Sequence, residues 1–239
     1  MRTHIAVLLA VLGLACDDAS APPAPADVAV AFASAATTIE PGEPLILDGG
    51  NGTLRVDSIL LLVGRVRIEA GEDACTTPTA PSCITFGDVG LVPLPLTFDP
   101  HVVRSATVAD PTRLTTIRFE VRPLGQLEEA VVADVRAARP LWPDSAAALV
   151  TGTFRRPGEL PIPYRSYVLA SFELGASIVG SAPRADALTF IIAANPLAWF
   201  SRPKGEVLEL SYFDHSTTGR FVDLRQILED GFVGQVFVR

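Results

Sequence analysis

Histidine is the side chain whose ordinary pKa suits proton transfer near neutrality. Beyond its N-terminal segment this 239-residue chain has two, His101 and His215. His101 lies two residues after Asp99, and His215 directly follows Asp214. Neither has another His or Cys at metal-ligand spacing, and His-Glu-x-x-His is absent, which excludes the helical zinc-hydrolase site. Gly-x-Ser-x-Gly is missing as well. A Ser-His-Asp triad needs only to meet in space, so the sequence leaves it open. Neighbours on a strand face opposite ways, so the two His–Asp pairs read as turn residues, and no catalytic residue is assigned.

Other chemistries find little material. The stretch Asp48-Gly-Gly-Asn-Gly52 lacks the lysine and helix start of a phosphate loop and reads as a turn. Together with Glu69, Glu72 and Asp73 it has oxygens suited to calcium, but the EF-hand spacing is missing. No metal or other cofactor is therefore expected. Glycoside hydrolysis needs two carboxylates held across a sugar, and 27 acidic residues will form pairs by chance. Sugar binding favours exposed aromatic platforms. The sequence has Trp142, Trp199, Tyr164, Tyr167 and Tyr212 to draw on. Trp199-Phe200 reads as a plug at a sheet corner. Trp142, between Pro140 and Pro143, is the better exposed ring, and Trp142, Tyr164 and Tyr167 are the candidate ligand-binding set.

Composition narrows the classes further. The chain is 49% hydrophobic, 19% charged and 7% aromatic, which excludes an intrinsically disordered chain. A net charge of −8 argues against a nucleic-acid partner, since phosphate neutralisation needs a basic face. Arginine is abundant, whereas Lys204 is the sole lysine, a bias that reads as GC-rich coding.

The N-terminus predicts export. Met1-Arg2 is followed by the apolar run Ile5 to Ala15 and then Cys16, too short to span a bilayer and laid out like a signal peptide. It resembles a bacterial lipoprotein signal, which implies that Cys16 carries lipid. Gly13 stands where the usual motif has leucine, with Leu12 one place early. Cys75 and Cys83 are expected to form a disulfide, whose short loop stabilises by at most about 2–3 kcal/mol. That pairing also removes the awkwardness of an odd cysteine count in an exported protein. The expected organisation is a signal peptide over 1–15, an Ala/Pro-rich tether over 16–39, and one domain over 40–239.

The elements that would position any site are mostly strands. Val28 to Phe32 alternates and suits a first edge strand. Thr53 to Glu69 keeps a period of two but slips phase at Asp57-Ser58 and near Gly64, which predicts one long strand with bulges. Thr115 to Arg122 alternates cleanly between apolar and charged. Helical spacing appears over 126–138, with Leu127, Val131 and Val135 on one face and Pro140 as the stop. Strand patterns return at 146–154, 162–173, 187–194 and 206–213, the first two joined by the turn Arg155-Arg-Pro-Gly-Glu159. A second short helix is expected around Leu224 to Leu228, stopped by Gly231, and Val233 to Val238 closes as a strand. The expected fold is a mainly β Greek-key sandwich with one or two short helices.

The order of these features resembles a group of uncharacterised bacterial lipoproteins with a prealbumin-like (transthyretin-like) β-sandwich. The resemblance rests on Leu54 to Ile68, Ile117-Arg-Phe-Glu-Val121, the helix before Pro140, Val150 to Tyr164, and Pro196 to Phe200 with Ile227 to Phe237. It covers most of 44–239 and implies no activity. The expected function is a lipid-anchored protein of the bacterial cell envelope, periplasmic or on the outer surface. Its sandwich would be a non-enzymatic structural or protein-interaction module, and the alternative is a surface carbohydrate-binding module. The expected partners are the membrane, through the lipid, and an envelope protein or glycan.

Overall fold

The computed structural model describes residues 25–35, 43–70, 75, 83–97, 99–108, 111–178 and 187–238. The signal segment, Cys16, Glu72 and Asp73 lie outside these residues. The strands are β1 Ala26–Ser34, β2 Leu45–Gly49, β3 Gly52–Glu69, β4 Cys83–Phe86, β5 Gly90–Leu94, β6 His101–Val108, β7 Thr116–Val121, β8 Ala148–Arg155, β9 Ile162–Leu169, β10 Phe172–Ile178 and β11 Ala187–Ala194. The short β12 Ser201–Arg202 and β13 Glu206–Val207, then β14 Val222–Asp223 and β15 Phe232–Val238, complete them. Among the described residues four short α-helices are interspersed: α1 Glu129–Ala138, α2 Pro196–Phe200, α3 His215–Thr218 and α4 Arg225–Gly231.

The long strand β3 organises the sheet. Its first half pairs with β8 and its second half with β7, with register shifts at Val56/Ser58 and between Val63 and Val66, where the sequence loses phase. Leu62 marks the hand-over. Its N–H donates to the Ala147 carbonyl and its carbonyl accepts from Arg122 N–H. In a strand both groups of one residue point to the same edge, so β8 and β7 follow one another along one edge of β3. The opposite edge carries β2, β5 and β4 in turn. From β3 one leaf runs through β8 and β9 to β14, and the other through β7, β10, β15, β11 and β1 to β6. The path stays open between β14 and β6, so the layers form no closed barrel.

The two leaves share one core. Phe154, Tyr164 and Val168 come from the first, and Phe32, Phe119, Phe190 and Phe232 from the second. Phe119 meets Phe32 and Phe232 edge-on, with centroids 5.4 and 5.0 Å apart. Trp199 and Phe200 of α2 are fully buried against this group, as a corner plug should be. On β7, Ile117, Phe119 and Val121 face the core, while Arg118 faces outward to Glu69 at 3.2 Å. Gly231 ends α4 without the left-handed backbone that a glycine stop implies. A Cβ there would meet the Trp199 indole nitrogen at 1.8 Å, so close packing explains the residue.

A second, smaller core lies on the outer face of the first leaf. There Leu62, Leu149 and Tyr167 meet Trp142 and the apolar face of α1. Each of these strand residues is one step out of phase with its inward neighbour, as the period of two requires.

Three expectations need revision. Val28 to Phe32 is an interior strand, parallel to β11 on one side and antiparallel to β6 on the other, so part of the expected tether belongs to the sheet. Its residues Val28, Val30, Ala31, Phe32 and Ala33 are all fully buried, which an edge position would not produce. The stretch 162–173 breaks at Ala170-Ser171 into β9 and β10. The expected strand over 206–213 is two residues of β13 followed by a 3-10 turn.

Candidate functional site

An open concavity with charged and hydroxyl groups on its walls lies along β9, where the chain from 209 to 220 runs beside that strand. The turn Arg155 to Glu159 closes β8 onto β9, with Gly158 in a left-handed conformation (φ 79°) and Glu159 N–H bonded to the Arg156 carbonyl at 3.0 Å. Arg156 is held between two carboxylates, Glu159 at 3.3 Å and Glu209. Glu209, and then Glu159, push its already high pKa further up.

Across from this hairpin, residues 210–213 form a 3-10 turn that leads into α3. Asp214 fixes that junction. Its Oδ1 accepts the Arg165 N–H of β9 at 2.9 Å, and its Oδ2 accepts the hydroxyls of Ser216 and Thr217 at 2.7 and 2.8 Å. Burial alone would raise the Asp214 pKa, but these hydrogen bonds outweigh it and hold the carboxyl below its ordinary value. Ser166 donates to the Leu210 carbonyl at 2.9 Å, and Gly219 ends α3 with a left-handed φ of 66°. Ahead of its short pairing with β14, the edge of β9 thus meets Asp214 through the Arg165 N–H and the 3-10 turn through the Ser166 hydroxyl.

The result is an open groove lined by Arg156, Ile162, Glu209, Ser211, Tyr212, Thr218 and Arg220. A second hollow adjoins it at Ile162 and Ser211 and reaches Asp214. Tyr212 is 56% exposed, and the Arg220 guanidinium lies over its ring, 4.3 Å from the centroid. This arrangement can bind a ligand through an aromatic edge, a planar cation and hydroxyls.

The residues nominated from the sequence stand elsewhere. Trp142, Tyr164 and Tyr167 are 1%, 4% and 4% exposed, so they do not form the expected ligand-binding face. Tyr164 and Tyr167 are three residues apart on one strand, which sends them to opposite faces. Tyr164 enters the main core and donates to the Arg55 carbonyl at 3.1 Å, and burial, helped by the Asp57 charge, pushes its phenol far up. Tyr167 enters the second core against Trp142, with centroids 5.4 Å apart. The Trp142 indole N–H donates to the Ala146 carbonyl at 3.0 Å. Burial also raises the Tyr167 pKa.

Neither histidine of the two His–Asp pairs is the turn residue that the sequence suggested. His101 opens β6 at the surface, and His215 begins α3 with its ring between Tyr167 and Phe221 at 5.2 and 4.8 Å. Cys75 and Cys83 are joined, with Cα atoms 5.1 Å apart. Among the described residues no three His, Cys, Asp or Glu side chains gather as metal ligands would. Glu69 instead faces Arg118 and Arg67.

Contrary to a reading of the sequence as free of Ser-x-x-Lys, the order of some acyl-transferring enzymes, the chain has it once at Ser201-Arg-Pro-Lys204. It falls on the β12–β13 hairpin and not at a helix start. The Ser201 hydroxyl donates to the Leu197 carbonyl at 2.8 Å, and Lys204 sits at the tip with a left-handed φ of 67°.

No family model, curated protein or solved structure matches the chain. The groove must therefore be read from its own chemistry. The sequence reading missed Arg220 and Ile162 and put Tyr212 on a strand. The available signal was Asp214-His-Ser-Thr-Thr-Gly219, a helix cap with a glycine stop, which ends any strand at Phe213.

Proposed function

We propose that this chain is an exported, lipid-anchored protein of the bacterial cell envelope whose β-sandwich is a non-catalytic structural or protein-interaction module. One observation carries the reading. Cys75 and Cys83 are bonded to each other, and the third cysteine of the sequence, Cys16, directly follows the apolar run Ile5 to Ala15. A disulfide suits an oxidising compartment, and a cysteine at the end of a signal-like run suits lipid. The resemblance of most of residues 44–239 to prealbumin-like lipoproteins supports the same reading and adds no activity.

Metabolic labelling with a palmitate analogue tests it. Wild-type protein should take up label and sediment with membranes, and Cys16→Ser should do neither. Label that persists in Cys16→Ser, or soluble wild-type protein, would overturn the anchor. Gentle crosslinking in native envelopes then tests the module. A stoichiometric protein partner is expected. Recovery of the protein alone, or with glycan alone, would overturn the interaction reading.

A further inference from the structure

Two large hydrophobic side chains that line the groove stand exposed, and a third lies close to them along the chain. Ile162, 39% exposed, and Tyr212 line it, and Leu160, 85% exposed, stands two residues before Ile162 at the end of the β8–β9 turn. A single exposed leucine is ordinary on any surface. Here the three accompany a cation of unusual standing. Arg156, on the same groove, is neutralised by Glu159 and Glu209. Arg220 has no carboxylate partner among the described residues, and stacking over Tyr212 holds its guanidinium plane in place.

We infer that the groove is a docking surface for a protein partner that presents an acidic side chain flanked by aliphatic ones. The inference rests on the interaction-module reading and names the surface and the partner's chemistry. A carboxylate on the partner meets the free edge of Arg220, whose planar fork can take it in a bidentate pair. Aliphatic neighbours of that carboxylate cover Leu160 and Ile162. Tyrosine and arginine are the residue types that most often dominate binding energy at protein interfaces. A sugar is the weaker occupant. Arg220 already covers one face of the Tyr212 ring, and Leu160 and Ile162 suit no hydroxylated surface.

The test selects peptides from a random displayed library on the purified full chain and measures the winners by fluorescence anisotropy. The expected consensus is an Asp or Glu between aliphatic residues. Affinity should fall about tenfold or more in Arg220→Glu and in Tyr212→Ala, and should weaken with added salt. Both positions are exposed, and an unchanged near-UV circular dichroism spectrum shows that each variant folds. A neutral or basic consensus, no enrichment, or a loss of less than about twofold in Arg220→Glu would overturn the proposal. So would displacement of the peptides by trigalacturonate, or self-association that Arg220→Glu abolishes, since these identify a sugar acid or a second copy as the occupant. Envelope crosslinking separates the two possible failures. If wild type and Arg220→Glu capture the same stoichiometric partner, the groove is wrong and the module reading stands. If wild type captures none, the module reading falls and takes the groove with it.

Discussion

Asp214 shows what a single side chain does in this protein. It holds the 3-10 turn, the start of α3 and the edge of β9 with three hydrogen bonds. Asp214→Ala strands the Arg165 N–H and removes the acceptor of the Ser216 and Thr217 hydroxyls, so unfolding stability should fall by about 1–2 kcal/mol. Urea titration reads this directly. The pH dependence follows from the direction of the shift. The folded-state pKa is depressed, so the stabilisation is fully present above the ordinary carboxylate value, about 4, and is lost as pH falls through the lower folded value. Wild type should lose stability on that acid side, and Asp214→Ala should lack this component of the loss. Equal acid limbs in both proteins would show that Asp214 is not the titrating anchor. The residue scale is also where the sequence was hardest to read. Asp214 was legible as a neighbour of His215, while its partner on β9, Arg165, lies 49 positions away along the chain and leaves no local pattern. The burial of Trp142 was hidden for a similar reason. Flanking prolines suggest an exposed loop, but the floor that covers the indole comes from β8, β9 and α1.

Among elements, a guanidinium latches the seam between β6, the last strand of the path, and the segment before β5. β6 ends the hydrogen-bonded path, and β5 stands across from it on the far edge of β3. Arg104 of β6 reaches over, donating to the Asp88 and Val89 carbonyls at 3.3 and 3.2 Å and to its own neighbour Val103 at 3.0 Å. Val89 N–H is bonded to the Val63 and Gly64 carbonyls of β3, and an Asp88 oxygen accepts the Glu128 N–H at the start of α1. Residues 88–89 thus join β3, β6 and α1. Arg104→Ala should cost about 1–2 kcal/mol, and Arg104→Lys should recover only part of it, because an ammonium cannot serve three carbonyls in a fixed fork. Arg136→Ala breaks an ion pair with Asp144 whose side chains are both largely exposed, and should change stability by less than about 0.5 kcal/mol. Equal denaturation midpoints for Arg104→Ala and Arg136→Ala would show that the seam needs no latch. The elements themselves were well written in the sequence where a period ran unbroken. The two phase slips of β3 located its register shifts, and the charged face of β7 marked its outer side. Residues 206–213 failed because alternation continued through Leu210, whose burial comes from a turn and not from a strand.

For the whole molecule, the decisive feature is that β1 lies inside the second leaf. Composition places residues 16–39 in a tether, because alanine and proline dominate there and only five residues alternate. The pairing overrides composition. Over Asp27 to Ser34 the strand matches β11 residue by residue, and its other side takes β6. Such long-range parallel pairing leaves no sequence signal of its own, and the three parallel pairings among the described residues are what a hairpin-based reading could not foresee. The energetic weight is large. Burying Val28, Val30 and Phe32 contributes about 5–9 kcal/mol in total at about 1.5–3 kcal/mol each. That is comparable to the entire net stability of a domain, about 5–15 kcal/mol. A chain beginning at residue 40 should therefore fail to form the native core, and should bind a hydrophobic dye and lose its near-UV circular dichroism. One beginning at residue 25 should keep a cooperative thermal transition. A cooperative transition and native near-UV spectrum in the 40–239 chain would show that the second leaf closes without β1, and that the sheet's interior strand is dispensable.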